Sequence, residues 1–424
     1  MRRFKEPLKT VLILLLTLSA VFLAWKGNLF SGLFPQAPPE GTASPEERVS
    51  ITAAALPCAA MLTRSSGLQY GVKYDDEEMA ELFDRFSALL AEALGSTEKP
   101  GAISEATWKV RLGGAGLYLE YDFPLPLSVL AAWVGMEIPW AEEETGTAFL
   151  LDHGGDGSVR LCFRSGEGRY YASRTAASWA TLHSLLEEAL PNGAAFAFSI
   201  PELRDCAPYS LILEELPTTH IVFASGGQSE AAAALAESFG IHLSGQSRYT
   251  EADGTLVYPG DEGALRLGAD GSVSYTAVVP AASASLQPDT AEMIERGRRL
   301  LETIHDSYAG EETLSLSALR LEEGAAYMTF RYQVGGIPVE LSDGPAAEVV
   351  WGAEGLREFS VVPRCYRQGD AVRGLLPEKQ AAAAAGSLHP GAAACLILFD
   401  RGESYLGISW AVAEEGRYLW TQED

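Results

Sequence analysis

Between Lys9 and Lys26 the chain carries no Asp, Glu, Lys or Arg, and Val11 to Trp25 is apolar apart from Thr17 and Ser19. In hydrocarbon such a stretch must satisfy its own backbone hydrogen bonds, and a helix does so within one segment. Leu8 to Trp25 is 18 residues, close to the lower end of the roughly 17–25 needed to span a bilayer. Arg2, Arg3, Lys5 and Lys9 stand before it, and positive flanks stay on the cytoplasmic side. The expected topology is a cytoplasmic tip and single-pass membrane anchor over 1–26, with everything after Lys26 extracytoplasmic. A cleaved secretory signal shares the basic start and apolar core. Its best cleavage site, Phe22-Leu23-Ala24, runs at once into bulky Trp25 and then Lys26. A retained anchor is the expectation, with Trp25 at the outer interface.

Residues 1–26 hold five of the 31 cations and one of the 57 acids, so the exported remainder is close to −30. Phosphate backbones and anionic headgroups repel a surface of that sign. Nucleic-acid binding and peripheral membrane binding are therefore poor readings, and solubility alone accounts for the acidity. The five cysteines (58, 162, 206, 365, 395) are far apart and form no C-x-x-C. They read as buried small hydrophobes, with one disulfide left open by the spacing.

Prolines 35, 38, 39 and 45 make 27–48 an extended spacer that cannot nucleate a core. A first α+β domain is expected over 49–200. Its clearest element is a helix from Glu77 to Leu94, with Asp75 or Asp76 as cap. A middle domain, 201–280, holds an Ala-rich helix (230–239) and then a β-meander. Asp270-Gly271 stands between alternating runs, and that dipeptide supplies the positive φ of a tight hairpin. The C-terminal domain, 289–424, opens on Asp289 with Glu292 placed for a capping box. It reads as two helix-plus-sheet half-units, about 289–365 and 374–424, each near the lower size limit for an independent core.

Chemistry is not called for anywhere. Ser96-Thr97-Glu98-Lys99 fits S-x-x-K, but no S-D-N or K-T-G accompanies it, and Gly95 marks it as a turn after a helix. Asp152-His153-Gly154-Gly155-Asp156-Gly157 has glycine at the third calcium-loop position and Phe163 where the bidentate Glu belongs. It reads as a tight turn. The six histidines stand singly, without H-E-x-x-H or paired spacing. The expectation is a protein with no catalytic, cofactor-binding or metal-binding residues and no cofactor.

The meander is where a family enters. Arg248-Tyr249-Thr250-Glu251-Ala252-Asp253-Gly254-Thr255-Leu256-Val257-Tyr258, followed by Leu265-Arg266-Leu267 and Asp270-Gly271-Ser272-Val273-Ser274-Tyr275, resembles YycH. That family comprises membrane-anchored accessory proteins of the WalK (YycG) sensor kinase in low-GC Gram-positive bacteria. Glu6-Pro7-Leu8-Lys9-Thr10 leading into the anchor is similar too. So is Leu375-Leu376-Pro377 before an Ala-rich helix, which resembles the C-terminal parts of YycH and its relative YycI. The resemblance implies helix-on-sheet units like those of protease propeptides. It further implies a non-enzymatic regulator of a two-component sensor histidine kinase that controls envelope homeostasis, with that kinase and a YycI-like protein as partners. The lipid bilayer is met through the anchor alone. In such a system the anchor packs against the kinase's membrane helices. Thr17, Ala20 and Ala24 would supply the small face that close helix approach requires, although alanine is common in any apolar helix. The other readings are an extracytoplasmic ligand-binding module, a propeptide-like protease inhibitor, or an enzyme whose site is dispersed beyond recognition.

Overall fold

The computed structural model describes residues 56–138, 144–244, 248–278, 290–322, 324–342, 344–414 and 417–421. The expected anchor with Thr17, Ala20 and Ala24, the 27–48 spacer and Asp289 lie outside them. No helix among the described residues is long and apolar enough to cross a membrane.

Seven antiparallel strands build the first sheet. They are β1 (Ala59–Thr63), β2 (Gln69–Lys73), β3 (Gly101–Ile103), β4 (Gly116–Pro126), β5 (Thr145–His153), β6 (Ser158–Arg164) and β7 (Tyr170–Ser178), in the order β2-β1-β4-β5-β6-β7-β3. Helix α1 (Asp76–Gly95) lays Met79, Leu82, Phe83, Phe86, Leu90 and Ala93 on this sheet, a three-and-four spacing that keeps one face apolar. Asp75 Oδ1 accepts from Glu78 N–H at 2.9 Å, so the cap is the earlier of the two candidates. Two short helices escape sequence periodicity: α2 (Glu105–Leu112) buries only Trp108 and Leu112, and α3 (Leu127–Trp133) is seven residues long. Helix α4 (Trp179–Glu188) follows, capped by Ser178. After it Asn192 turns back on β2, donating to Gly71 O at 2.7 Å and accepting from Gly71 N at 3.0 Å.

A small pair, β8 (Ala195–Phe196) with β9 (Leu211–Ile212), precedes β10 (His220–Gly226) and α5 (Gln228–Ser238). The expected meander is present as β11 (Tyr249–Thr250), β12 (Leu256–Pro259), β13 (Gly263–Leu267) and β14 (Val273–Ala277). Gly254 and Gly271 take φ of 92° and 93° at its turns. Helix α6 (Thr290–His305) is followed by β15 (Glu312–Glu322), β16 (Ala325–Val334), β17 (Ile337–Leu341), β18 (Ala347–Gly352) and β19 (Gly355–Val361), and packs on β16 and β18. Gly297 lets α6 come close, because a Cβ there would lie 3.2 Å from Val349 Cγ1 and Met328 Sδ. Next come β20 (Arg364–Val372), α7 (Glu378–Leu388), β21 (Ala393–Asp400), β22 (Gly407–Glu414) and β23 (Arg417–Thr421).

The second sheet runs β11-β12-β13-β14-β19-β18-β16-β17-β21-β22-β23, with β15 also on β16. The meander thus continues directly into the C-terminal strands, Tyr275 opposite Phe359 and Val273 opposite Val361. At β16 the sheet divides. Its first half pairs with β18, while only Gln333 and Val334 pair with β17, whose other edge meets β21 in parallel. Strands β10 and β20 form a separate ribbon. The architecture is α+β with antiparallel sheets, as expected, and all five cysteines are free thiols.

Candidate functional site

Strand β2 ends at Lys73, and the chain then turns through Tyr74 at φ 62°, a positive value shared by no other described non-glycine residue. A β-carbon in that region costs about 1–3 kcal/mol, so the surroundings must hold it. Tyr74 is buried, its hydroxyl accepts from Leu396 N at 2.9 Å, and its ring meets Trp410 edge-on at 6.4 Å. Lys73 Nζ lies 4.6 Å over that ring and 2.8 Å from Glu378 Oε1. Glu378, the first residue of α7, is 1% exposed and its other oxygen accepts from Leu213 N at 2.8 Å. Burial works against Lys73's charge, but the Glu378 carboxylate outweighs it and holds the ammonium well above its usual range. Three distant stretches of chain, around 73, 213 and 378, therefore share one buried charge pair.

The next two residues continue the seam. Asp76 accepts from Thr313 Oγ1 at 3.2 Å. Gly336, φ 75°, abuts this turn so closely that a Cβ would fall 2.7 Å from Tyr74 C and nearer still to Asp75 N. Arg331 of β16 pairs with Asp122 of β4. Beneath lies a cavity of about 350 Å³, walled by Tyr121 and Phe123 on one side and by His305, Glu312 and Leu316 on the other.

Its most buried carboxylate is already occupied. Glu312 bonds His305 Nε2 at 3.1 Å and accepts from Gly310 N at 3.0 Å and Tyr366 N at 2.7 Å. Burial would raise its carboxyl, yet these bonds hold it below the usual range. Tyr366 carries the chain on to Asp400 (2.8 Å), which also accepts from Arg364 Nε at 3.2 Å and Gly402 N at 2.8 Å. A network satisfied in this way rigidifies a core. It leaves none of these carboxylates free to move a proton. Among the described residues no group of three or more His, Cys, Asp or Glu is placed to hold a metal.

A second buried charge has weaker company. Asp152 on β5 is 7% exposed, and Arg111 and Arg160 each lie 3.7 Å from its oxygens, too far for hydrogen bonds. Burial pushes its carboxyl up to about 6 against the pull of Arg160, Arg111 and His153. An unfolded aspartate titrates near 3.9. The folded state therefore holds its proton more tightly, and relative stability falls as pH rises from about 4 to about 6. Asp152→Asn should melt with the native protein near pH 4 and above it at pH 7, by the equivalent of about 3 kcal/mol. Melting curves of both proteins across that range check this. A variant that melts lower at pH 7 would show that the arginines outweigh burial.

The family-like meander residues are spread over turns and core rather than gathered into a site. Arg248 and Tyr249 are exposed, and Tyr258 and Tyr275 are buried, the latter stacked on Phe239 at 3.9 Å. Glu251 faces Arg266 at 3.9 Å. Asp253 and Asp270 accept from Thr255 N and Ser272 N, closing turns at Gly254 and Gly271. Asp156 closes its own turn on Ser158 in the same way, and Ser96 caps the end of α1. The seam residues Lys73, Tyr74, Gly336 and Glu378 carried no motif. Positive φ at Tyr74 has no sequence signal, and the carboxylate that pairs with Lys73 lies 305 residues away.

No family model matches the chain, and no curated protein sequence does. The crystal structure of YycH from Bacillus subtilis is similar to it, with a TM-score of 0.54 at 14% identity, covering 87% of this chain and 96% of that one. The YycH-like fold expected from the meander is the fold found.

Proposed function

We propose that this chain is a membrane-tethered, extracytoplasmic and non-enzymatic regulator of a two-component sensor histidine kinase that controls envelope homeostasis, with a YycI-like protein as a further partner. The observation that carries the reading is the shared fold, which extends over nearly the whole length of YycH. Two features agree with it. Residues 8–25 have the composition of a membrane helix, and the most buried carboxylates are committed to structure. In this reading the outer body is one rigid lever, and Thr17, Ala20 and Ala24 are where its anchor meets the kinase's membrane helices.

The test is recovery of the full chain from its own host's membranes in mild detergent, with the kinase identified by mass spectrometry. Ala20→Leu with Ala24→Leu keeps the helix apolar but blocks close approach. It should leave membrane levels unchanged while weakening kinase recovery about tenfold, the order of 1–2 kcal/mol of helix packing. Recovery of the native chain in the soluble fraction, or kinase yield indifferent to the substitutions, would overturn the tether or its packing face respectively.

A further inference from the structure

A second cavity opens beside the first sheet, in the row that runs from Lys73 through Ala59 to Glu120. Glu120 on β4, Ala148 on β5 and Arg164 on β6 are direct cross-strand neighbours in one row. Side chains in such a row share a face. The middle one is a methyl group, so the two long side chains reach over it toward each other. Arg164 Nη2 stops 3.6 Å from Glu120 Oε1. Charge-assisted hydrogen bonds are about 2.7–2.9 Å long, so neither group uses up the other's bonding capacity. Thr147 Oγ1 accepts from Arg164 Nε at 3.1 Å and fixes the guanidinium. Both side chains keep about a quarter of their surface open, 25% for the arginine and 24% for the glutamate.

What they open into is a space of about 630 Å³, inside the range typical of small-molecule sites, roughly 300–1,000 Å³. Its other walls are the 207–210 segment, including Tyr209, and the 388–393 turn that follows α7, including His389. These walls are stitched together by Ala207 N to Ala392 O at 3.0 Å and Gly391 N to Asp205 O at 2.8 Å. Tyr209 is anchored in turn on Glu105 at 2.8 Å. The site is thus held by backbone and side-chain bonds from three parts of the chain.

The charges define the ligand. A simple anion entering here meets Glu120, and a simple cation meets Arg164. Only a molecule bearing both signs a bond or two apart gains from both. Burial raises the Glu120 carboxyl, against Arg164, Lys73 and the Tyr118 hydroxyl, so this carboxylate is short of solvation that an ammonium would replace. We propose that the cavity binds a small zwitterion of the amino-acid class, its ammonium on Glu120 and its carboxylate on Arg164. The site stands independently of membrane tethering and of any kinase.

Calorimetry on the full chain in detergent tests this with glycine, L-alanine and L-alanyl-L-alanine against N-acetyl-L-alanine and L-alaninamide. At least one zwitterion should bind with Kd below about 1 mM, the first two against the third telling a free amino acid from a peptide. Blocking either terminus should weaken binding about tenfold or more. Arg164→Met should cost a similar factor and abolish the penalty for amidating the carboxylate. Glu120→Gln should abolish the penalty for acetylating the amine. Should a variant fail to fold, the blocked-ligand comparison on the native protein still decides. Absence of heat from every zwitterion, or equal binding of the blocked compounds, would overturn the proposal.

Discussion

Glu378→Ala should lower unfolding stability by about 3–5 kcal/mol, because removing one member of a buried ion pair leaves the other uncompensated. Lys73 would keep the Tyr74 ring beneath it but lose its hydrogen-bonded carboxylate, and Leu213 N would lose its acceptor. Both losses fall at the place where 73, 213 and 378 meet. Replacing the two charges together, Lys73→Met with Glu378→Met, should recover much of the deficit, since hydrophobic pairs of similar volume often match or exceed a buried ion pair. The pair holds the ammonium well above its usual range. The lysine's share of that stability is therefore complete below about pH 10, where an unfolded lysine titrates, and on the alkaline side it fades as pH climbs through the folded value. Urea midpoints of Glu378→Ala and of the double variant measure this. A Glu378→Ala protein within about 1 kcal/mol of native, well under the range for such losses, would mean that water already reaches the pair.

The other large effect is expected at Gly336. Alanine there must adopt φ 75° and must also place a carbon 2.7 Å from Tyr74 C. Left-handed strain costs about 1–3 kcal/mol and overpacking a similar amount, so Gly336→Ala should lose about 3–5 kcal/mol or force the seam apart. Its neighbour is the control. Gly335 has φ 55°, but a Cβ there meets only Gln368 Nε2 at 3.5 Å, ordinary contact, so Gly335→Ala should lose only the strain. Limited proteolysis beside the melting curve separates the outcomes, because a parted seam exposes the turn at 74–76. Equal losses at both positions would show that conformation alone matters and that close approach does not.

The sequence spoke clearly where structure is local. Helix α1 announced itself through its apolar spacing and a capping aspartate at 75 or 76, and one hairpin through Asp270-Gly271, whose aspartate closes the turn that the glycine permits. Strand β15 went unread although Leu314, Leu316, Leu319 and Leu321 lie along it. A register shift between Leu316 and Ala318 breaks the alternation that would have shown it. Short α2 and α3 offer too few turns for a period. The ribbon of β10 with β20 joins segments about 140 residues apart, and Lys73 finds Glu378 across 305. Pairings of that kind leave no imprint on neighbouring residues. The candidate sites, unlike the fold class, are made of them.

Asn192 shows how this protein treats its boundaries. With one amide it gives Gly71 both the acceptor and the donor that another strand would offer, so β2 ends the first sheet without an open ladder. Unpaired edges invite other chains to add themselves. Here one side chain serves as a stopper, and association through that margin would first have to pull it out. At that margin, recognition of another protein is thereby steered away from the borrowing of backbone and toward surfaces read by side chains.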